Sequence, residues 1–277
     1  MIGKYHAFCI SDPKPRQIHK ATVRDRIVHR AIYRILYPYF HSRFIHDSYS
    51  CRNGKGTHKA VKRFAGCSLK LTRNNTKVVW VLKCDIRKFF ASIDQDILLD
   101  LLRKQISDQN IIWLIEKVVR SFHSTKIGVG LPLGNLTSQL FANIYLNELD
   151  QFMKHQMKAE YYIRYADDFA IIGRDKDRLL ELTPQIADFL AEKLKLELHP
   201  DKVFLQTISS GVDFLGWVNF PHHRVLRTAT KRRMLKRLKE AGDKSEVVQS
   251  YLGLLSHGNG YRLSKLIKGG HFSKALK

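Results

Sequence analysis

The segment that most constrains this chain is 162–172, where two adjacent aspartates interrupt an apolar and aromatic run. Its sequence is Y-I-R-Y-A-D-D-F-A-I-I. The pattern predicts a strand, a tight turn and a second strand, with Asp167 and Asp168 at the tip of the hairpin. Adjacent carboxylates repel each other, and a hard cation such as Mg²⁺ relieves the repulsion because it prefers oxygen ligands. A solvent-exposed turn, in which Asp is common, explains the isolated pair at least as well.

A second strand-like run also ends in an aspartate. Residues 78–85 read V-V-W-V-L-K-C-D, and two phenylalanines follow within five positions of Asp85. If this strand lies beside the hairpin, Asp85 joins Asp167 and Asp168 in one acidic cluster. Three carboxylates around two metal ions are suited to an in-line phosphoryl displacement, because the metals stabilise both the attacking and the leaving oxygen.

Together these segments resemble the reverse transcriptase family, in its group II intron-like bacterial form. Residues 165–168 match the Y-x-D-D signature, and Asp85 in D-x3-F-F matches the upstream metal aspartate. The resemblance extends from about residue 8 to about residue 263. It implies an α+β right-hand polymerase fold with fingers, a palm whose antiparallel sheet is backed by helices, and a short helical thumb. It also implies RNA-directed DNA polymerase activity with two Mg²⁺ ions, for which Mn²⁺ substitutes, held by the three aspartates.

The resemblance divides the chain into five segments. The sequence contains neither the N-terminal extension common in group II intron proteins nor a maturase, RNase H or endonuclease segment after the thumb, so both a minimal enzyme and a fragment stay open. The segments are 1–77 (fingers), 78–93 (palm, first metal aspartate), 94–131 (helical insertion of the fingers and palm), 132–220 (palm with catalytic hairpin and primer grip) and 221–277 (short basic thumb).

The charge distribution agrees with this layout. The net charge is +23, and Lys plus Arg outnumber Asp plus Glu by 17 to 3 in residues 1–77 and by 14 to 3 in residues 221–277, whereas residues 78–220 hold 17 against 19. Such a balance predicts a polyanionic partner, either nucleic acid or, less favoured, an anionic membrane surface. No signal peptide or long apolar span is present, which argues against the membrane.

The four cysteines lack zinc-ligand spacing and predict reduced thiols in a cytoplasmic protein.

Several residues match family positions that contact the incoming deoxynucleoside triphosphate. Lys14 and Arg16, on a predicted hairpin, would grip the triphosphate, since arginine binds phosphate in a bidentate fork. Phe90 would exclude a 2′-hydroxyl sterically, and Lys202 would protonate the departing pyrophosphate. The plainer interpretations are a basic surface turn, a core phenylalanine and a surface lysine. The complete predicted nucleotide site is Lys14, Arg16, Ile86, Phe90, Leu133, Gly134 and Gln139.

The block 131–139 indicates which branch of the family the chain resembles. Most reverse transcriptases read Q-G-x3-S-P here, whereas this chain has Leu133 in place of the glutamine and Gln139 in place of the proline. That form resembles the enzymes of diversity-generating retroelements, which copy a template RNA with frequent errors at adenines and act with a small basic accessory protein and a structured RNA. The alternatives are a group II intron-like or defence-associated reverse transcriptase, and a non-catalytic RNA-binding protein with the polymerase fold.

Basic and glycine-containing segments are predicted to hold the RNA template and the DNA or RNA primer. The loop 49–58 alternates glycines and cations, and the predicted strand 212–218 resembles the family's primer grip. Eight Lys or Arg and no acid lie between Arg224 and Lys239, where a helix over 231–239 is predicted to turn Met234, Leu235 and Leu238 inward. The residues assigned to nucleic acid are Arg52, Lys55, Gly216, Arg224, Arg227, Lys231, Arg232 and Arg233.

One scaffold helix is predicted to begin after Thr22, a favourable N-cap residue. Val23, Ile27, Ala31 and Ile35 recur at helical spacing, which predicts that this face packs on the core.

Overall fold

The computed structural model describes residues 3–11, 15–241 and 245–269. The chain divides into two compact units. The first comprises Met1–Gly56, Leu82–Ile171 and Asp177–Phe204, and the second comprises Thr57–Val81, Ile172–Lys176 and Leu205–Lys277. The predicted division into five segments stays a prediction.

The structure combines helices with antiparallel strand pairs. In chain order the elements are β1 (His6–Ile10), β2 (Arg16–Lys20), α1 (Val23–His41), α2 (Thr57–Thr72), β3 (Trp80–Asp85), α3 (Phe89–Ser92), α4 (Gln95–Arg103), α5 (Gln109–Val119), α6 (Leu136–Gln151, continued by a π-helical turn over Phe152–Gln156), β4 (Tyr162–Tyr165), β5 (Asp168–Gly173), α7 (Lys176–Leu194), β6 (Phe204–Thr207), β7 (Val212–Phe214), β8 (Trp217–Asn219), β9 (Arg224–Leu226), α8 (Thr228–Ala241), α9 (Ser245–Leu255) and α10 (Tyr261–Lys268).

The strands form three sheets. β1 and β2 make an antiparallel pair, the central sheet has the order β4-β5-β3-β6, and β7, β8 and β9 form an antiparallel meander. β4 and β5 are the predicted hairpin, with Tyr162 opposite Ile171 and Tyr165 opposite Asp168. The predicted strand–turn–strand is therefore confirmed.

Helix α6 is buried on nearly all sides in the first unit. Its broad apolar face lies entirely in the core. α1 packs against α6, where the buried imidazole of His29 contacts the hydroxyl of Thr137 at 2.7 Å. The residues of the apolar face are Leu140, Phe141, Ile144, Tyr145, Leu149, Phe152 and Met153.

The core-facing side of α1 differs from the prediction. Thr22 is the N-cap, as expected, because its side chain accepts a hydrogen bond from the backbone N–H of Asp25. Val23 and Ile27, however, are each 68% exposed, and Ile35 is 63% exposed. The buried face includes two polar residues, Asp25 and His29, and a search for apolar residues at helical spacing does not detect them. It consists of Asp25, His29, Ile32, Leu36, Tyr37 and Phe40.

The predicted strand 212–218 is in fact a hairpin. Leu215 and Gly216 both have positive φ, +54° and +86°, and they form the turn between β7 and β8. Two successive positive φ values are typical of the tight turns that match strand twist. The glycine therefore serves a turn that the continuous-strand interpretation missed.

Three apolar residues of α8, Met234, Leu235 and Leu238, are buried as predicted. The side chain of Asp94 caps α4. All four cysteines are free thiols. Within the described ranges, no helix is both long and apolar enough to cross a membrane.

Candidate active site

The Asp-Asp pair sits on a two-residue turn. Tyr165 pairs with Asp168, which leaves Ala166 and Asp167 as the central residues. Ala166 has φ +53°, a left-handed conformation that costs a non-glycine residue about 1–2 kcal/mol. Strain of this kind persists only where the surroundings hold it, and it concentrates at functional sites.

Asp85 reaches the same place from the neighbouring strand. β3 lies beside β5 in the central sheet, and the backbone N–H of Ile86 donates a 3.2 Å hydrogen bond to the carbonyl of Asp167. The end of β3 is thereby tied to the turn. The expectation that these two strands are adjacent is confirmed, and Asp85 lies within electrostatic reach of Asp167 and Asp168.

Two lysines contact the carboxylates. Nζ of Lys202 donates to Oδ1 of Asp85 at 2.9 Å, and Nζ of Lys83 lies 3.4 Å from Oδ2 of Asp168. Lys202 is brought there by the segment before it, because the N–H of His199 donates to the carbonyl of Asp85 at 2.8 Å. Lys83 was not predicted from the sequence, although alternation along β3 places it on the same face as Asp85.

Burial and mutual repulsion raise the pKa of the turn carboxylates. Burial raises the pKa of Asp168 to about 7, with Lys83 opposing the rise and Asp85 adding to it. Burial also raises the pKa of Asp167, with a further contribution from Asp85, while Arg16 and Lys202 oppose it. Oδ1 of Asp168 is buried and has no hydrogen-bond partner among the described residues. The basic groups around the turn therefore compensate its carboxylates only in part.

This chemistry fits a divalent cation. Oxygen ligands are what Mg²⁺ prefers, and a cation between the carboxylates would relieve their repulsion. Within residues 3–11, 15–241 and 245–269, no set of three or more His, Cys, Asp or Glu side chains is arranged to hold a metal ion as it stands. The assignment of metals to Asp85, Asp167 and Asp168 therefore stays a prediction.

The predicted triphosphate residues lie on or before β2. Arg16 begins that strand and opposes the rise in the pKa of Asp167, so its guanidinium lies within electrostatic reach of the turn. Lys14 falls outside the described residues. The N–H of His19, also on β2, donates to the carbonyl of Leu133 at 2.8 Å. Gly134 has φ +110°, and a Cβ there would meet the side chain of Ile18 at 2.7 Å. β2 thus joins Arg16 to the Leu133–Gly134 turn.

The remaining nucleotide candidates differ in exposure. Ile86 is 1% exposed, so its side chain belongs to the core. Phe90 is half-buried, whereas its neighbour Phe89 is in the core. The carbonyl of Phe90 accepts a 2.8 Å hydrogen bond from the N–H of Leu131, which ties it to the block 131–139. Gln139 is half-buried in the first turn of α6.

Arg52 and Lys55 brace the loop in which they lie. Nη1 of Arg52 donates to the carbonyls of Ile45 and Ser48 at 2.6 and 2.9 Å, and Nζ of Lys55 donates to the carbonyl of His46 at 2.8 Å. Both side chains are half-buried. Their contact with a template stays a prediction, and the structure gives them a role in shaping the loop.

The other nucleic-acid candidates belong to the second unit. Arg224 donates to the carbonyl of His257, and Arg227 lies 3.0 Å from Oδ2 of Asp213. The carbonyl of Gly216 accepts a 3.1 Å hydrogen bond from the N–H of Arg227. Along α8, Arg232 is exposed, while Lys231 and Arg233 are half-buried.

Comparison with solved structures identifies the fold. Apo telomerase from Candida tropicalis superposes with a TM-score of 0.62 over 86% of this chain and 52% of that chain, at 12% sequence identity. At such low identity the likeness concerns the fold alone. That fold, helices with antiparallel sheet, is the right-hand polymerase fold of reverse transcriptases.

Comparison with sequences identifies the family. The chain is 27% identical over 260 residues to the protein YkfC of Escherichia coli, covering 80% of this chain and 66% of YkfC. It is 25% identical to the group II intron-encoded protein LtrA of Lactococcus lactis, covering 79% of this chain and 46% of LtrA. It therefore spans less than two thirds of these relatives' length. The family model described as reverse transcriptase (RNA-dependent DNA polymerase) matches residues 11–218. The chain belongs to the reverse transcriptase family.

Proposed function

We propose that this protein is an RNA-directed DNA polymerase that copies an RNA template into cDNA by nucleotidyl transfer. The observation that carries the proposal is the convergence of Asp85, from β3, on the Asp167-Asp168 turn in a chain of this family. A protein that only binds RNA gains nothing from buried carboxylates whose repulsion raises their pKa. A metal-dependent polymerase needs such an acidic cluster.

The cofactor in this proposal is Mg²⁺, with Mn²⁺ as a substitute. Asp85 and Asp167 would be the principal ligands, and Asp168 would support them. When bound, two such ions supply positive charge to the attacking 3′-oxygen and the leaving pyrophosphate. Lys202 donates to Asp85 at 2.9 Å. A metal ion bound at the same carboxylate would release the ammonium group, which could then donate a proton to the pyrophosphate.

The chain's own residues perform the remaining tasks. Arg16 binds the triphosphate with its guanidinium, which suits phosphate geometry. Lys202 donates a proton to the departing pyrophosphate. The ring of Phe90 lies beneath the sugar and excludes a 2′-hydroxyl. The substrates are deoxynucleoside triphosphates, an RNA template and a DNA or RNA primer, held by the basic segments that precede and follow the acidic residues in the sequence.

Within the family, we assign the chain to the error-prone enzymes of diversity-generating retroelements. The support is Leu133 and Gln139 in the block 131–139. An apolar side chain near the nascent base pair would discriminate less by hydrogen bonding than a glutamine. A structured retroelement RNA and a small basic accessory protein would be the partners. A group II intron-like role is the second candidate, favoured by the similarity to LtrA.

Primer extension on an RNA template with Mg²⁺, followed by sequencing of the products, tests both levels of the proposal. We expect extension by the wild type and by Asp188→Asn, which alters an exposed carboxylate of α7, but not by Asp167→Asn/Asp168→Asn. Errors concentrated opposite template adenine would support the retroelement assignment, and uniform fidelity would exclude it. No extension, even with the native RNA and an accessory protein, would favour a binding role.

A further inference from the structure

The most deeply buried ion pair in the described part of the chain joins β4 to α6 next to the Asp167-Asp168 turn. Arg164 of β4 is 1% exposed and Asp150 of α6 is 0% exposed. Nε and Nη2 of the arginine donate to the two carboxylate oxygens at 2.6 Å each. The hydroxyl of Tyr162 donates to the same carboxylate at 2.9 Å. This bidentate geometry fixes the plane of the guanidinium.

The remaining nitrogen of that guanidinium faces the turn. Nη1 of Arg164 donates to the carbonyl of Ala166 at 3.2 Å and to Oδ1 of Asn143 at 3.3 Å. Ala166 is the residue in the left-handed conformation, immediately before Asp167. One side chain thus joins the rigid helix α6 to the strained peptide that carries the carboxylates.

Stability alone does not account for this pair. Burying two charges carries a desolvation cost that their attraction often fails to exceed, and apolar replacements of similar size are frequently neutral or stabilising. A lysine could supply the charge, but not a planar fork that bonds Asp150 with one edge and the turn with another.

We propose that Arg164 is a positioning residue for nucleotidyl transfer: locked on Asp150, it holds the Ala166 carbonyl and so fixes the turn that presents Asp167 and Asp168. The proposal rests on the polymerase function proposed above. In this role Arg164 touches neither substrate nor metal, and it acts through the backbone of the turn.

The backbone around Arg164 restrains it further. Its N–H donates to the carbonyl of Asp47 and its carbonyl accepts from the N–H of Tyr49, both at 2.9 Å. Nδ2 of Asn143 donates to the carbonyl of Ser50 at 3.0 Å. The loop that contains Arg52 and the catalytic turn therefore share one hydrogen-bonded support, and movement of that loop is expected to reach the turn through Arg164.

The test replaces the pair by apolar side chains. The double variant Arg164→Met/Asp150→Leu removes both charges, so neither is left buried and unpaired. The matched control is Arg103→Met/Asp100→Leu, which removes an exposed pair joined at 3.1 Å on α4. We expect the double variant to bind template–primer like the wild type. Its kcat for single-nucleotide incorporation should fall by about 100-fold with KM for the nucleotide unchanged, the scale of a displaced catalytic group.

Hydrogen exchange gives a readout independent of activity. The N–H of Ile86 is bonded to the carbonyl of Asp167, so its exchange reports on the position of the turn. We expect exchange at this amide and across 165–168 to rise by about tenfold in the double variant and not in the control. If the double variant does not fold, Arg164→Lys, which retains the charge but loses the fork, is measured in the same way.

The outcomes separate this inference from the proposed function. Wild-type kcat and exchange in a folded Arg164 variant would overturn the inference and leave the polymerase intact. If the wild type itself does not extend primers, the proposed function fails, and exchange decides the inference: a rise confined to the Arg164 variant supports it, and unchanged exchange overturns it.

Discussion

The ammonium group of Lys202, in the segment just before β6, lies 2.9 Å from Oδ1 of Asp85, the last residue of β3. The contact follows from backbone pairing, since Ile86 bridges Leu198 in antiparallel fashion and the chain then turns toward Asp85. A lysine held beside the acidic centre is suited to the departing pyrophosphate, and it supplies positive charge to Asp85 in the absence of metal.

Replacing Lys202 by methionine should slow incorporation more than it weakens nucleotide binding. The side chain is 40% exposed, so the fold should survive. If Lys202 is the general acid, kcat falls by about 100-fold or more while KM for the nucleotide changes little. Lys193→Met, at an exposed position of α7, is the control. Pre-steady-state rates equal to those of the wild type would exclude the role.

Mg²⁺ should stabilise the wild-type fold. A ligand that binds only the native state raises stability by about 2.7 kcal/mol when its concentration is 100 times its Kd. We expect the melting temperature to rise with Mg²⁺ in the wild type and in Asp188→Asn, and to rise much less in Asp85→Asn/Asp167→Asn. Equal shifts in all three proteins would mean that the ion binds elsewhere.

The exposed apolar stripe of α1 should contribute little to stability. Ile27 is 68% exposed, whereas Ile32, five residues further along and on the opposite side of the helix, is 4% exposed. Ile27→Ala should change the free energy of unfolding by less than about 0.5 kcal/mol. Ile32→Ala should cost about 2–5 kcal/mol, because it leaves a cavity. Denaturant unfolding measures both free energies. A larger loss for Ile27→Ala than for Ile32→Ala would mean that the core-facing side of α1 is the one predicted from periodicity.

His29 should make the metal-free protein less stable in acid. Burial lowers its pKa, while Asp25 opposes the change, and its Nε2 is without a hydrogen-bond partner in the described part of the chain. A lowered pKa means that the unfolded chain binds the proton more tightly, so the contribution of neutral His29 is present above about pH 6.5 and is lost as the pH falls through the folded-state pKa.

His29→Gln should therefore flatten the dependence of the melting temperature on pH below about 6.5. His155→Gln removes an exposed histidine and should leave that dependence as it is in the wild type. Measurements in chelator keep metal binding out of the comparison. A slope unchanged by His29→Gln would assign the acid sensitivity to other groups.

The sequence was sufficient for the parts of the site that local patterns determine. Alternation and turn chemistry predicted the hairpin of β4 and β5, and the apolar run before Asp85 predicted β3. The family resemblance placed the two together. For α1, two stripes at helical spacing were available, Val23-Ile27-Ile35 and Ile32-Leu36-Phe40, and periodicity does not choose between them. The buried one includes Asp25 and His29, whose hydrogen bonds make burial tolerable.

The rest depends on long-range partners. Lys83 meets Asp168, and Arg164 meets Asp150, only after the sheet and α6 have assembled. Composition does not reveal such pairs, because each charged residue has many possible partners along the chain. The break at Leu215-Gly216 had a local signal, since an isolated glycine in a strand pattern often marks a turn or a bulge.

The measurement that tests the central claim most directly is single-nucleotide incorporation on an RNA template by the wild type, Asp85→Asn, Asp167→Asn and Asp188→Asn. The account predicts that the wild type and Asp188→Asn incorporate in Mg²⁺, and that the other two lose nearly all activity while still binding template–primer. Incorporation by Asp85→Asn or Asp167→Asn at the wild-type rate would contradict it.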